Sequence, residues 1–230
     1  MNKNNQSDLF PETLPYPLKN VPKVEGLSKR MQMEVARIMP RTPFIDLRQL
    51  VKTSIKFDMK YASEDNFAGE AFYDKDDPIL LRREVALGVM QANKILRRKK
   101  GTKYSLIIYD AGRPQSAHEK MYEWAKEYKK EEYFAKPERG SIHSFGCAVD
   151  VSILYEEKPL DMGTGFDELS EFSWTSREQE LSPKQKANRE LLREVMKFWG
   201  FEGIDSEWWH FDFGWDRYRP SIRESLPRII

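Results

Sequence analysis

Hydrophobic and polar residues along this chain follow two different periods, which predict helices and strands. In residues 79–99 apolar residues recur every three to four positions, as in a helix with one buried face. The same pattern predicts a helix over residues 183–199, with Ser182 as its N-cap and Gly200 as its stop signal. A shorter helix is predicted over residues 28–39.

Short apolar runs predict the strands. Residues 44–47, 58–61 and 104–109 are predicted strands, the last of them buried. Strict alternation of apolar and other residues predicts two further strands, over residues 148–153 and 208–213. Because strands and helices do not alternate regularly, we expect an α+β fold with a central, mostly antiparallel sheet flanked by helices.

One more helix is predicted just after the loop that contains Arg113. Ser116 and Glu119 have the spacing of a capping box, which opens a helix through about residue 128. His118 falls in the first turn of that helix, and we expect it to be an ordinary surface residue. Arg113 taken by itself fits a surface salt bridge at least as well as a catalytic role.

The first 25 residues differ from the rest of the chain. They are polar and contain four prolines, a composition typical of an extended segment. The sequence therefore predicts an extended N-terminal arm over residues 1–25 and a single domain over residues 26–230.

Composition and charge restrict the possible partners. The 230 residues have a net charge of +1 with both signs interspersed, so the sequence does not indicate a nucleic-acid partner or an anionic membrane partner. A single cysteine, Cys147, excludes an internal disulfide and a cysteine-based zinc cluster. No apolar run reaches the roughly 20 residues of a membrane span. The absence of a signal peptide predicts a cytoplasmic location, or a periplasmic one if a signal has been removed. Oligomeric state stays open.

Two of the chain's three histidines lie in short segments that also contain carboxylates. His143 and Asp150 lie in the first segment, and Glu207 and His210 lie in the second. Two imidazoles and one carboxylate make a three-ligand zinc site with an open fourth position, and the remaining carboxylate is available as a base. This set of residues is the minimum for metal-assisted hydrolysis.

Strand geometry allows these side chains to meet. His143 precedes Asp150 by an odd number of residues, so a break in the strand at Gly146 is required to bring both to one ion. His210 can face Asp150 if the two strands are neighbours, and Glu207 then stands at a kinked strand entrance. Each histidine alone also fits an ordinary hydrogen-bonded position, and a structural zinc site is the other alternative.

With these motifs the chain resembles the VanX-type D-alanyl-D-alanine dipeptidases, a branch of the zinc D-Ala-D-Ala peptidases. The matching stretches occur in the family's order, and their residues are 58–67, 109–114, 140–150, 161–167 and 206–210. The resemblance implies an α+β fold of the D-Ala-D-Ala peptidase and hedgehog type. An aromatic residue commonly precedes the family's arginine, whereas Gly112 does so here.

The resemblance also implies a role for each matching residue. It implies one zinc ion per chain held by His143, Asp150 and His210, with Glu207 as general base and Arg113 as catalytic arginine. It further implies that the substrate contacts are Tyr61, Ser141 and Asp167. Asp167 would pair with the substrate ammonium, although its place after a glycine-containing turn fits a turn-capping residue equally well.

The leading hypothesis is therefore a zinc dipeptidase that hydrolyses D-Ala-D-Ala, with a small dipeptide as its partner. A related carboxypeptidase or endopeptidase that cuts longer muropeptides is the main alternative. A catalytically silent zinc or peptidoglycan-binding module is the third hypothesis.

Overall fold

A six-stranded sheet contains both the strand with Asp150 and the strand that begins at His210. The computed structural model describes residues 44–49, 54–213 and 228–230. The strands are β1 (Phe44–Asp46), β2 (Lys56–Phe57), β3 (Leu80–Arg82), β4 (Tyr104–Asp110), β5 (Ala148–Tyr155), β6 (Lys158–Pro159), β7 (Phe201–Gly203) and β8 (His210–Phe213). The helices are α1 (Arg83–Lys100), α2 (Gln115–Glu127) and α3 (Pro183–Lys197).

The sheet is mixed but mostly antiparallel, which confirms the predicted fold class. Its strands lie in the order β2-β4-β5-β8-β7, and β6 pairs with the end of β5. Only the short β2 runs parallel to its neighbour β4. β1 and β3 form a separate antiparallel pair. Helices α1 and α3 pack against each other, α1 also contacts β4, and α3 also contacts β5 and β7.

The central strand β5 is buried along nearly its whole length. Seven of its residues are buried and only Tyr155 is exposed. Polar residues at alternate positions of this strand, such as Asp150, therefore face a site inside the protein rather than bulk water.

The predicted N-cap of helix α3 is confirmed. Ser182 accepts a hydrogen bond from the backbone of Gln185, whose side chain in turn accepts from the Ser182 backbone, so α3 begins with a complete capping box. The helix ends at Lys197, two residues before the predicted end at residue 199.

Three local predictions were wrong. The residues Leu80–Arg82 pair with β1 as a strand, so α1 begins later than predicted. Residues 58–61 are not a strand: Lys60–Ala62 is a helical turn, which the Asn66 side chain holds by donating to the Lys60 carbonyl. The capping box at Ser116 does not form, because α2 begins at Gln115 directly after Pro114.

The predicted arm over residues 1–25 and the predicted helix over residues 28–39 lie outside the described residues, so the proposed domain division stays a prediction. None of the helices in the described part of the chain has the length and apolar character that crossing a membrane requires.

Candidate metal centre

Two imidazoles and one carboxylate converge at the end of the sheet. His143 Nε2 lies 3.1 Å from His210 Nδ1 and 3.4 Å from Asp150 Oδ1, and His210 Nδ1 lies 3.0 Å from the same oxygen. Ligand atoms about 2.1 Å from a tetrahedral metal lie about 3.4 Å from one another. The three atoms therefore have nearly the separations that a single metal ion needs.

The backbone explains this convergence. Asp150 and His210 are direct partners in the antiparallel register of β5 and β8. His143 lies in a helical turn, His143–Phe145, that precedes β5 and ends at Gly146. Gly146 has a φ of +66°, a left-handed conformation that favours glycine, and it reverses the chain so that His143 faces Asp150.

The second nitrogen of each imidazole is held by an oxygen. His143 Nδ1 lies 2.7 Å from the Ala111 carbonyl, and His210 Nε2 lies 2.9 Å from Asp212 Oδ1. When each ring is neutral, a proton on the outer nitrogen leaves the inner nitrogen with a lone pair directed at the common centre. Such outer partners are typical of metal-binding histidines.

The electrostatics of the cluster also fit a cation. Burial lowers the pKa of His210, but Asp212 and Asp150 together raise it by more than burial lowers it, so the net pKa is well above its ordinary value. Burial raises the pKa of Asp150, yet its attraction to His143 and His210 outweighs burial and holds the pKa well below its usual range. The donor set thus attracts positive charge strongly and matches a divalent metal ion.

Glu207 lies beside this cluster without joining it. Its Oε2 is 3.9 Å from His210 Nδ1, and its side chain is 18% exposed. Burial and, to a smaller extent, the charge of Asp150 raise the pKa of the Glu207 carboxyl, while His210 opposes the rise. The carboxyl group therefore has the position and the raised pKa that suit a general base.

Arg113 is buried, so the surface salt bridge considered from sequence is wrong. Its Nε and Nη2 donate to Asp110 Oδ2 at 3.0 and 2.8 Å, and Asp110 Oδ1 accepts from the Tyr73 hydroxyl at 2.9 Å. The Arg113 backbone N–H also donates to the His143 carbonyl at 3.1 Å. The loop with Arg113 and the turn with His143 are thus held together.

Tyr61 connects Arg113 with Asp167. The Tyr61 hydroxyl donates to Asp167 Oδ1 at 2.8 Å, and the Arg113 guanidinium lies 4.9 Å from the Tyr61 ring centroid. Asp167 Oδ2 is buried and has no hydrogen-bond partner among the residues that the structure describes. Burial raises the pKa of Asp167 well above its ordinary value. A buried carboxylate oxygen of this kind requires a partner, and a ligand cation can supply one.

These side chains line one cavity of about 380 Å³, a size typical of small-ligand sites. The cavity brings together all eight residues singled out from sequence, namely Tyr61, Arg113, Ser141, His143, Asp150, Asp167, Glu207 and His210. Ser141 lies at its wall, where its hydroxyl oxygen accepts from the His143 backbone N–H at 3.2 Å. The roles of these residues stay predictions.

His118 is not the surface residue that we expected. The segment after α2 folds back over the first turn of this helix, so that the side chain is 1% exposed. Its Nε2 lies 2.9 Å from the Ala135 carbonyl. Burial, with a smaller contribution from Arg113, lowers its pKa to about 4. His118 is therefore a neutral imidazole that holds the wall of the cavity.

The structure also explains the glycine before the arginine. A Cβ atom at Gly112 would lie 2.0 Å from the Leu80 carbonyl oxygen and 2.3 Å from Ile229 Cδ1. Ile229 is held in place because its N–H donates to the Ser144 carbonyl and its carbonyl accepts from Gln115. The space beside the arginine loop is thus filled by a distant part of the chain.

Sequence reasoning missed the residues that support the site. Asp110 and Asp212 stand three residues before Arg113 and two residues after His210, and each holds the side chain of that neighbour. The spacing of Asp110 from Arg113 was visible in the sequence, but on a loop it does not predict contact.

Comparison with known proteins agrees with this site. The model of the peptidase M15 family, described as D-ala-D-ala dipeptidase, matches residues 41–225. A D-alanyl-D-alanine dipeptidase of Escherichia coli K12 is 34% identical over 172 residues, which cover 74% of this chain and 84% of that protein. Proteins of the same name from Enterococcus faecalis V583 and Streptomyces coelicolor are 29% and 27% identical, over 68% and 69% of this chain and 85% and 86% of their own lengths. The chain therefore belongs to the D-Ala-D-Ala dipeptidase family of M15 peptidases.

Proposed function

We propose that this protein is a zinc-dependent dipeptidase that hydrolyses D-Ala-D-Ala to two molecules of D-alanine. The observation that carries the proposal is Asp167 Oδ2, which has no partner in the described part of the chain and is buried in the same cavity as the cluster of two histidines and one aspartate. The cluster supplies what hydrolysis needs, and Asp167 supplies a carboxyl group whose charged form a substrate ammonium would stabilise.

His143, Asp150 and His210 would hold the metal through Nε2, Oδ1 and Nδ1 respectively. When bound, a divalent metal ion supplies Lewis-acid chemistry that polarises a carbonyl and acidifies water. Two imidazoles and one carboxylate favour zinc among common metals, and three protein ligands are the number found in catalytic zinc sites.

Glu207 would act as the general base. It removes the proton from the attacking water and later delivers it to the nitrogen of the leaving D-alanine. Its raised pKa suits the first step, because a carboxylate whose pKa is closer to neutrality is a stronger base towards the attacking water.

Arg113 would stabilise the negative charge that develops on the carbonyl oxygen. Asp110 occupies Nε and Nη2 of the guanidinium, so Nη1 is available for that oxygen. Because Asp110 is fully buried and fixes the guanidinium in advance, little reorganisation is needed when the charge appears.

Asp167 and Ser141 would distinguish a dipeptide from a longer peptide. The substrate ammonium pairs with Asp167 Oδ2, and the Ser141 hydroxyl is a hydrogen-bond donor for the far end of the substrate. A peptide with a blocked amino terminus leaves Asp167 buried without its cation, which costs free energy and disfavours its binding.

Metal content and activity of the purified protein test this proposal together. We expect one zinc ion per chain and cleavage of D-Ala-D-Ala, with N-acetyl-D-Ala-D-Ala a poor substrate. Equal cleavage of the blocked compound would instead favour the carboxypeptidase or endopeptidase alternative. Glu207→Gln should lose turnover and keep its zinc, and unchanged activity would rule out Glu207 as the base.

A further inference from the structure

Arg189, in the middle of α3, is a buried charge that the proposed reaction does not use. Its side chain is 1% exposed, and the carboxylate oxygen of Glu178 is 4.0 Å from its Nη1. Burying a cation is costly unless its donors are well satisfied. The donors of Arg189 are satisfied mainly by backbone carbonyls of one segment, the residues from Met162 to Trp174.

The guanidinium donates hydrogen bonds to carbonyls of this segment both before and after Asp167 in the sequence. On the near side Nε donates to the Met162 carbonyl at 2.7 Å. On the far side Nη2 donates to the Phe172 carbonyl at 3.0 Å, and Nη1 lies 3.5 Å from the carbonyls of Ser173 and Trp174. A planar guanidinium with five donors in a fixed fork can reach carbonyls on both sides at once, whereas the three donors of a lysine all lie on a single nitrogen.

Asp167 needs such support because of its backbone. Its φ is +59°, in the left-handed region that costs a residue with a side chain free energy unless its surroundings fix it. Arg189 joins the two ends of the segment and so closes it into a loop with Asp167 near its middle. The orientation of the Asp167 carboxylate then depends on contacts made by residues several positions before and after it in the sequence.

A second connection runs from Arg189 to the turn that contains Glu207. Thr164 Oγ1 lies 3.4 Å from Arg189 Nη2 and accepts from Trp208 Nε1 at 2.8 Å. The guanidinium carbon also lies 5.7 Å from the Trp208 ring centroid. Trp208 directly follows Glu207, so one side chain supports both the segment of Asp167 and the turn of Glu207.

We propose that Arg189 is a positioning residue that shapes the Met162–Trp174 segment and thereby sets the recognition of the substrate ammonium by Asp167. The inference rests on the proposed dipeptidase function. It assigns Arg189 no contact with substrate or metal, and its effect is transmitted through carbonyl hydrogen bonds and Thr164.

The test compares kcat/KM for D-Ala-D-Ala and for N-acetyl-D-Ala-D-Ala in the zinc-loaded full-length protein. Arg189→Met should lower kcat/KM for the free dipeptide about 100-fold, as expected for a displaced binding group. The blocked compound should be affected at least tenfold less, so selectivity for the free amino terminus falls. Arg189→Lys should recover part of the selectivity, since it restores the charge and the donors of one nitrogen.

Arg193 offers a matched control on the same helix. It lies one turn further along, and its guanidinium pairs with the half-buried Glu178 and with the exposed Glu190. Arg193→Met should leave the selectivity within about twofold of the wild type. Amide hydrogen exchange in the Met162–Trp174 segment should rise in the Arg189 variant and stay unchanged in the Arg193 variant.

Thr164→Val provides a second test that removes only one hydroxyl group. It should reduce the selectivity about tenfold while zinc content stays at one per chain, as for the loss of a supporting hydrogen bond. The inference is overturned if Arg189→Met folds, binds zinc and keeps full selectivity. It is also overturned if Arg189→Met does not fold and Thr164→Val keeps full selectivity. A wild-type protein without activity on D-Ala-D-Ala would refute the proposed function, and this inference with it.

Discussion

Replacing Asp110 by asparagine tests how strongly the buried ion pair holds the arginine loop. Asp110 is fully buried, and its Oδ2 accepts from Arg113 Nε and Nη2 at 3.0 and 2.8 Å. Burial lowers the pKa of the Arg113 guanidinium, but the attraction of Asp110, together with smaller contributions from Tyr61 and Asp150, raises it above its ordinary value. Asp110→Asn keeps the shape of the side chain and removes the charge, and its amide group then faces the guanidinium donors.

The expected loss follows from these contacts. Each hydrogen bond to a charged group contributes about 1.5–3 kcal/mol, so two such bonds correspond to about 3–6 kcal/mol. Leaving one partner of a buried ion pair without its counter-charge costs about 3–5 kcal/mol. We therefore expect Asp110→Asn to lower the free energy of unfolding by about 3–5 kcal/mol.

Urea denaturation of wild type and variant, in the presence of a chelator, measures this difference without the contribution of a bound metal. Glu190→Gln is the matched control, because Glu190 pairs with Arg193 at the same spacing of three residues but is 68% exposed. It should change the free energy of unfolding by less than about 1 kcal/mol. If Asp110→Asn costs no more than this control, the buried pair does not hold the loop as we argue.

Three further predictions concern other parts of the site. Asp212→Ala removes the carboxylate that holds the outer nitrogen of His210, so zinc affinity should fall about 10–100-fold in a chelator competition, and an unchanged affinity would contradict that role. Gly112→Ala should cost about 1–3 kcal/mol in thermal unfolding because its methyl group has no space. Gly165→Ala is the control and should be free of such a clash, because no atom of the described residues lies within 4 Å of a Cβ at Gly165. For His118, whose pKa falls from 6.5 to about 4 on folding, the unfolded chain binds a proton that the folded one rejects. Stability should therefore fall by about 3 kcal/mol as the pH falls from 6.5 towards 4, and His118→Gln, compared by urea denaturation with chelator, should lack this part of the acid loss.

Local sequence signals predicted those elements whose ends are fixed by neighbouring residues. The α3 helix begins where Ser182 and Gln185 form their capping box, an interaction within four residues. The start of α1 was wrong because Leu80–Arg82 pairs with a strand nearly forty residues away, which no local pattern reveals. The strand predicted over residues 58–61 was wrong for a different reason, because side chains that hydrogen-bond to nearby backbone groups compete with strand pairing.

The candidate site was accessible from sequence only in part. His143, Asp150 and His210 stand in recognisable motifs, and strand alternation correctly placed His210 opposite Asp150. Burial of His118 depends on how the segment after α2 folds back, and so it was not predictable from the helical pattern around it. From sequence alone, Arg189 likewise cannot be distinguished from the other polar residues of an amphipathic helix.

The contact between Gly112, Leu80 and Ile229 restricts how this protein can diverge from its relatives. The aromatic side chain that commonly precedes the family's arginine cannot be introduced at Gly112 alone, since even a Cβ atom would lie 2.0 Å from the Leu80 carbonyl oxygen. Substitutions at these positions are therefore epistatic: a change at one is tolerated only after the backbone at Leu80 and the side chain at Ile229 have moved. The three positions should therefore vary together.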